Sequence, residues 1–402
     1  MKLSPHSEAI VKATAGVVAE HAVDITKVFY ADMFDAHPEL LRVFNKANQA
    51  IGEQPQALAA SVVAYAVNLI DPNAPDFGPI MRRIAHKHVS LGIQAQEYTI
   101  VAHHLLKAVG TVLGDAVTPE IADAWDEVYW LFGCALIAEE ARLYAKGKTD
   151  PEHPWRDYTV IARSEETDDV FSLTLKPDHG KLPKHKTGQY VAIAVDLPNG
   201  ERQPRQYTIS NAPGDRALRV TIKRVAGRNG APDGQVSNWL GDHAHVGTRL
   251  QLSQPSGDMV LGDSDDPLIL VSAGIGITPM ASIIEDLFYR QPNRDVRFLH
   301  ANKSHEDTAL YRNIRAQVDQ MGAVIGQFWY EEHAETAPTI HPARDGFMDL
   351  SDIDIPTNGH AFMCGPLEFM RQARLALIAK GMPPERISYE VFGPDLWAQN
   401  PN

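Results

Sequence analysis

The chain has 402 residues, enough for two or three domains, with a formal net charge of −14, 44% hydrophobic and 22% charged residues. So acidic a chain lacks the basic footprint of a nucleic-acid-binding surface. No apolar run reaches the ~20 residues of a membrane span, and the N-terminal MKLSPHSEAIVKATAG lacks the apolar core of a signal peptide.

From Ser4 to about Lys146 the pattern is helical. Leu58, Val62, Tyr65 and Leu69 form one apolar stripe, Tyr98, Val101, Leu105 and Val109 a second, and Tyr129, Phe132, Leu136 and Glu140 a third. Breakers at Pro38, Asp71–Pro79 and Pro119 separate the helices. Short packed helices of this number fit a globin-like bundle. His88 has Ile84 and Leu91 at helical spacing, so it points into an apolar face, whereas His86 points elsewhere. A histidine on such a face is commonly a satisfied core residue. Here Tyr98 and Glu140 lie on neighbouring apolar stripes, and a buried carboxylate is costly without a partner. An imidazole N–H donating to Glu140 satisfies it and makes the other ring nitrogen a stronger metal ligand. The two cysteines, Cys134 and Cys364, are too far apart in sequence to suggest a disulfide framework or zinc spacing, so the cytoplasm is the expected compartment. Cys134 reads as helix core.

Gly147 to Trp155, with two prolines and mixed charge, reads as a linker. The period then changes to two. Phe171, Leu173 and Leu175 alternate with polar residues, as do Leu218, Val220 and Ile222, and Val191, Ile193 and Val195 alternate with alanines. Short strands at this spacing predict a small antiparallel barrel. Within it, Arg205-Gln206-Tyr207-Thr208 brings together a cation, an aromatic ring and a hydroxyl. These suit a flavin's pyrophosphate, ring face and polar edge, although an ordinary barrel strand has the same look. Ala226–Asp233 reads as a hairpin excursion. From Gln235-Val236-Ser237 the chain leaves the sheet for a helix whose exposed N–H groups, with Ser237, form a seat for a pyrophosphate.

Leu268–Val271 is a continuous apolar run that leads into Ser272-Ala273-Gly274-Ile275-Gly276-Ile277-Thr278-Pro279 and then a helix. Strand, glycine turn and helix form a phosphate cradle. The pattern recurs at Val296–Leu299 and at Ala361–Met363 before Cys364-Gly365-Pro366, which indicates a parallel sheet covered by helices. After the second strand His300-Ala301-Asn302-Lys303 contains no arginine. This leans towards NADH over NADPH, with Lys303 still able to serve a 2′-phosphate.

In this order, Gly188-Gln189-Tyr190, Arg205–Thr208, Gly234–Leu240, Ser272–Pro279 and the closing Phe392-Gly393-Pro394 resemble the ferredoxin-reductase-like flavoproteins. Thr208 stands where that family's Arg-x-Tyr-Ser pattern has serine. Phe29-Tyr30, His37–Leu40, Phe44 and Gln54 to Leu58 resemble the distal half of a flavohemoglobin, and Ala85–His88, Tyr98 and Glu140 its proximal half. The resemblance spans essentially the whole chain. It implies an all-α globin at 1–147, a linker at 148–155, an antiparallel FAD-binding barrel at 156–262 and an α/β parallel-sheet NAD(P)H-binding domain at 263–402. His88 becomes the axial ligand of heme b, with Tyr98 and Glu140 as the relay behind it. Tyr30 and Gln54 lie on the oxygen side, where a hydroxyl and an amide can hydrogen-bond a bound gas. Phe44 packs on the porphyrin and Leu58 crowds the distal pocket. FAD falls to Tyr190, Arg205 to Thr208, Gln235 to Ser237 and Val391 to Pro394. NADH or NADPH falls to Gly274 to Pro279 and Cys364 to Pro366. Lys87 and Glu390 resemble positions where a charge tunes the two redox groups, although solvated surface charge reads equally well. Pro55, directly after Gln54, biases that residue away from helix, so Gln54 sits at a helix start or swings out of the pocket.

Nicotinamide gives up two electrons as a hydride and heme iron takes one at a time, so a flavin must stand between them. The resemblance implies a nitric oxide dioxygenase that forms nitrate from nitric oxide and oxygen. An oxygen-binding or sensing globin with an attached ferric reductase uses the same parts, as does a general NADH-dependent flavin or hydroperoxide reductase. The implied partners are small molecules: O2, nitric oxide and NAD(P)H. A lipid in the distal pocket is compatible with the reading, and a monomer is expected.

Overall fold

The structure is a computed structural model that describes residues 2–44, 53–214, 216–227, 232–332 and 343–393. Its helical part runs through α1 (Pro5–Ala36), α2 (Glu53–Ile70), α3 (Gly78–Leu91), α4 (Glu97–Leu113) and α5 (Pro119–Gly147). A 3-10 segment follows α1 at Pro38–Arg42. The prolines that read as breakers, Pro38, Pro79 and Pro119, each stand in the first turn of the segment that follows, as Pro5 does in α1. Pro5 and Pro119 open α1 and α5 behind capping side chains, Ser4 accepting from the Ser7 N–H and Thr118 from that of Ile121. Gly92 ends α3 in a left-handed conformation with φ 75°.

The apolar stripes meet in one core that includes Phe29, Met33, Tyr65, Leu105, Phe132 and Leu136. Each such side chain contributes roughly 1.5–3 kcal/mol of burial. Cys134 is exposed, against the reading of it as core. It lies two residues from both Phe132 and Leu136, a turn of about 200° that carries it to the opposite side of α5.

The first sheet comprises β1 (Arg156–Glu165), β2 (Val170–Pro177), β3 (Tyr190–Asp196), β4 (Arg202–Thr208), β5 (Leu218–Lys223) and β6 (Arg249–Leu252), in the order β4-β3-β6-β1-β2-β5. Its pairings are antiparallel. The outer strands approach each other just beyond β4, where Ile209 bridges Val220 and the Ser210 N–H donates to the Arg219 carbonyl at 2.7 Å. This contact curls the sheet into a barrel, and the inward residues Phe171, Leu173, Ile193, Val220 and Ile222 fill it. Helix α6 (Gln235–His243) follows the excursion, of which residues 228–231 lie outside the described residues.

The second sheet is parallel throughout: β7 (Leu268–Ala273), β8 (Val296–Asn302), β9 (Val324–Tyr330), β10 (Arg344–Asp345), β11 (His360–Cys364) and β12 (Ile387–Glu390), in the order β10-β9-β8-β7-β11-β12. Helices α7 (Ile277–Arg290) and α8 (Tyr311–Val318) join the core on one face, and α9 (Leu367–Ala379) joins the core on the other. The order reverses between β7 and β11. The crevice outside the carboxyl ends of those two strands is where this architecture takes its ligands.

Candidate functional site

Helix α3 presents His88 towards α4 and α5. Its Nδ1 lies 2.8 Å from Glu140 Oε1 and 2.9 Å from the Tyr98 hydroxyl, and that hydroxyl donates to the same Glu140 oxygen at 2.5 Å. The Tyr129 hydroxyl donates to the Tyr98 carbonyl at 2.6 Å and fixes the start of α4. Burial, reinforced by the neighbouring Glu140 charge, pushes the Tyr98 phenol far above its usual range, so it remains a donor. Both contacts use Nδ1, which leaves Nε2 to face a ligand. A single imidazole is too few donors for a bare ion and suits an iron whose remaining ligands come from a porphyrin.

In the same helical core Tyr30 is buried, and its phenol is held well above the usual range by burial. Its ring packs on Phe34 at 5.6 Å and edge-on against Phe44 at 5.7 Å. Leu58 is half-buried against the same core. Gln54 is the second residue of α2 and half-buried, so Pro55 occupies the first turn, where its missing N–H costs nothing.

In the barrel, β3 and β4 pair so that Tyr190 lies opposite Thr208 and Val191 opposite Tyr207, which joins two stretches that are separate in sequence. Burial lowers the Arg205 pKa and raises that of Tyr207. The Arg205 guanidinium bonds Gln203 Oε1 at 3.1 Å and the Pro204 carbonyl at 2.6 Å. Gln206 Nε2 donates to Ser90 Oγ on α3 at 3.2 Å. Gly234 precedes α6 in an extended conformation, Val236 and Ser237 are buried at its first turn, and Ser237 Oγ accepts from the Val225 N–H at 3.2 Å.

In the parallel sheet, Gly274 has φ 53° and opens a 3-10 turn that leads into α7. A Cβ on Gly276 would stand 2.2 Å from the Cys364 carbonyl oxygen. Only glycine allows the β7 loop to lie this close to the end of β11. Cys364 is fully buried, and burial, with the nearby Glu390 charge, holds its thiol well above the usual range, so it is not a thiolate. Glu390 pairs with Cys364 in register and is 3% exposed, so it is not a solvated surface charge. Lys303 faces Glu332 at 3.6 Å. Phe392 is exposed, and Pro394 lies outside the described residues.

Comparison with known proteins agrees with this layout. The Globin family model matches residues 27–135, the Oxidoreductase FAD-binding domain 157–260 and the Oxidoreductase NAD-binding domain 270–375. A flavohemoprotein of Chromobacterium violaceum is 39% identical over 400 residues, covering 97% of this chain and 98% of its own. One of Rhizobium meliloti is 37% identical over 410 residues, covering 99% of this chain and 100% of its own. The chain belongs to the flavohemoprotein family. A crystal structure of a flavohemoglobin from Malassezia yamatoensis, with bound FAD and heme, superposes with a TM-score of 0.88 at 32% identity, over 98% of this chain and 100% of that one. The FAD/NAD-binding domain of a nitric oxide dioxygenase from Vibrio cholerae matches 60% of this chain and 99% of its own, with a TM-score of 0.54 and 32% identity.

As a flavohemoprotein the chain is an NAD(P)H-dependent oxidoreductase that uses heme and FAD. Its helical part docks on both reductase sheets through the helix that carries His88. Lys87 Nζ donates to the Val391 carbonyl at 3.3 Å and to that of Gly393. The Gly257 N–H donates to His86 Nδ1 at 3.0 Å. Gln203 Nε2 reaches the Leu41 carbonyl and Gln254 Nε2 that of Leu143. Tyr190 is a meeting point: burial raises its phenol far above the usual range, and the Glu390 and Asp258 charges add to this while Ser90 and Arg83 oppose it. The reading of the sequence found Lys87, Tyr190 and Glu390 and missed Arg83, Ser90, Gly257 and Asp258. The available signal was a second, polar stripe on α3, Arg83, His86, Lys87 and Ser90, at helical spacing beside the stripe that contains His88.

Among the described residues no helix is long and apolar enough to cross a membrane.

Proposed function

We propose that this flavohemoprotein is a nitric oxide dioxygenase that oxidises nitric oxide to nitrate with O2 at the expense of NAD(P)H. The observation that carries the proposal is the contact between the helix of the proposed iron ligand His88 and the segment after Glu390, to which part of the flavin site is assigned. The Vibrio cholerae relative, named for this activity, supports the reaction type.

When bound, heme supplies a one-electron iron that binds gases, FAD a carrier of one or two electrons, and nicotinamide a hydride. The rest falls to the chain. His88 holds the iron, and Glu140 with Tyr98 orients the imidazole by keeping its Nδ1 proton engaged. Tyr30, a buried phenol that stays protonated, donates a hydrogen bond to a ligand in the distal pocket. Gln54 supplies an amide at the start of α2, Phe44 packs on the porphyrin and Leu58 limits the space. Arg205 and the start of α6 at Gln235 to Ser237 neutralise the flavin pyrophosphate. Tyr190, Gln206, Tyr207 and Thr208 would frame its ring, with Val391, Phe392 and Gly393 beside it; Pro394, assigned to the same group, lies outside the described residues. Gly274, Ile275, Gly276, Ile277, Thr278 and Pro279 cradle the dinucleotide phosphates, and Cys364, Gly365 and Pro366 border the nicotinamide. Lys87 and Glu390 place charge at the approach of the two redox groups. The working domain boundaries are 1–147, 156–262 and 263–402, and the working form is a cytoplasmic monomer.

Addition of nitric oxide to the aerobic, cofactor-loaded protein is expected to accelerate NADH consumption sharply. Consumption that ignores nitric oxide would leave an oxygen-binding globin with a reductase attached. Tyr30→Phe is expected to speed O2 dissociation about 10- to 100-fold, the equivalent of one hydrogen bond of ~1.5–3 kcal/mol to a polarised ligand. Flash photolysis reads this directly, and an unchanged off-rate removes Tyr30 from the site.

A further inference from the structure

Helix α3 has two working faces. Ile84, His88 and Leu91 lie on the side of the metal ligand, while Arg83, His86, Lys87 and Ser90 recur at i, i+3, i+4 and i+7 and meet the reductase sheets. Arg83 is the member of that second face that touches both the parallel sheet and the segment after the barrel strand β6. Its guanidinium lies 4.1 Å from the centroid of the Tyr389 ring on β12, and its Nε lies 3.8 Å from Asp258 Oδ1 in the segment after β6. Its side chain is 11% exposed, so the charge is largely withdrawn from water, where a cation–ring attraction is strongest and where loss of one partner of an ion pair is most costly. Tyr389 immediately precedes Glu390, whose neighbour across the strand is Cys364, and Asp258 immediately follows Gly257, which bonds His86. The charges of Asp258, Glu390 and Arg83 all act on Tyr190.

We infer that Arg83 is a positioning residue for internal electron transfer, a side chain that ties the heme helix at once to the segment after the flavin barrel and to the nicotinamide sheet. The inference rests on the proposed wiring from nicotinamide through flavin to heme. It acts on the overall exchange NADH + 2 Fe(III) → NAD⁺ + 2 Fe(II) + H⁺, in which NADH is oxidised and two heme irons are reduced by one electron each. Arg83 touches none of the reacting atoms. It fixes the distance the single electrons cross, and transfer over such a gap falls off steeply when the partners separate.

The test uses the full-length protein loaded with heme and FAD, mixed anaerobically with NADH in a stopped-flow instrument that follows flavin and heme absorbance separately. Arg83→Leu is expected to leave flavin bleaching at its normal rate and to slow heme reduction at least tenfold, with an increased radius of gyration by X-ray scattering. Arg83→Lys, which keeps the charge opposite Asp258 and loses the guanidinium over the Tyr389 ring, is expected to recover part of the rate. If Arg83→Leu does not fold, Tyr389→Leu and Asp258→Asn remove the same contacts from the other side and are expected to slow heme reduction in the same selective way. Heme reduction at the normal rate in Arg83→Leu, or in both partner variants, overturns the inference. So does an equal slowing of flavin bleaching and heme reduction. No nitric oxide enters this measurement, so a protein that forms no nitrate but reduces its heme in an Arg83-dependent manner refutes the proposed reaction and keeps the inference.

Discussion

His88→Ala is expected to abolish nitric oxide removal while NADH-driven reduction of a soluble acceptor such as ferricyanide continues. The two outcomes separate because the residues involved lie in different parts of the fold. His88 belongs to α3 and, among the described residues, bonds Tyr98 and Glu140 within the helical part, whereas the residues proposed for FAD and nicotinamide belong to the two sheets and the segments that follow their strands. Truncation leaves Glu140 without its imidazole partner in a buried setting and removes the proposed protein ligand to iron. Loss on the order of a thousandfold is expected, as when one member of a group that acts as a unit is deleted. Added imidazole should enter the space and restore heme binding in part. Undiminished nitric oxide removal by the alanine variant would place the reaction elsewhere in the molecule.

Gly276→Val is expected to produce the opposite split. A Cβ at that position meets the Cys364 carbonyl at 2.2 Å, and a backbone oxygen held in the β7–β11 pairing cannot swing aside as a flexible side chain would. The loop must therefore lift from the end of β11, and the dinucleotide it cradles moves with it. A displacement of ~1 Å at a reacting centre costs about a hundredfold. Anaerobic flavin reduction by NADH should fall by that order, while the heme spectrum and oxygen binding of chemically reduced protein remain normal. A normal rate of flavin reduction in this variant would show that the nicotinamide does not lie against that loop.

Much of this architecture can be read from residue spacing because its parts obey local rules. Helix α5 displays Tyr129, Phe132, Leu136 and Glu140 on one face, and a carboxylate on such a face has to be explained by a partner, which turned out to be His88 at 2.8 Å. The strand, glycine turn and helix from Leu268 to Arg290 declare themselves by composition. Cys134 misled because it sits among apolar neighbours, and residue type says nothing about the turn of about 200° from Phe132 that carries it to solvent. The docking face was only half legible, because spacing shows a polar stripe on α3 but not what that stripe meets. Arg83 and Asp258 look like ordinary surface charges, and Gly257 reaches His86 from 171 residues away. No local pattern encodes what a folded unit docks against; only the juxtaposition shows that a cation in the second turn of a helix is wedged between an aromatic ring and a carboxylate.

The central claim is that electrons enter at the parallel sheet and leave through the iron at His88. The most direct measurement is the visible spectrum of the purified, heme- and FAD-loaded protein before and after NADH is added without oxygen. The account predicts that the flavin absorbance bleaches and that the ferric heme bands convert to ferrous ones in the same protein. Bleached flavin beside heme that stays ferric would contradict it.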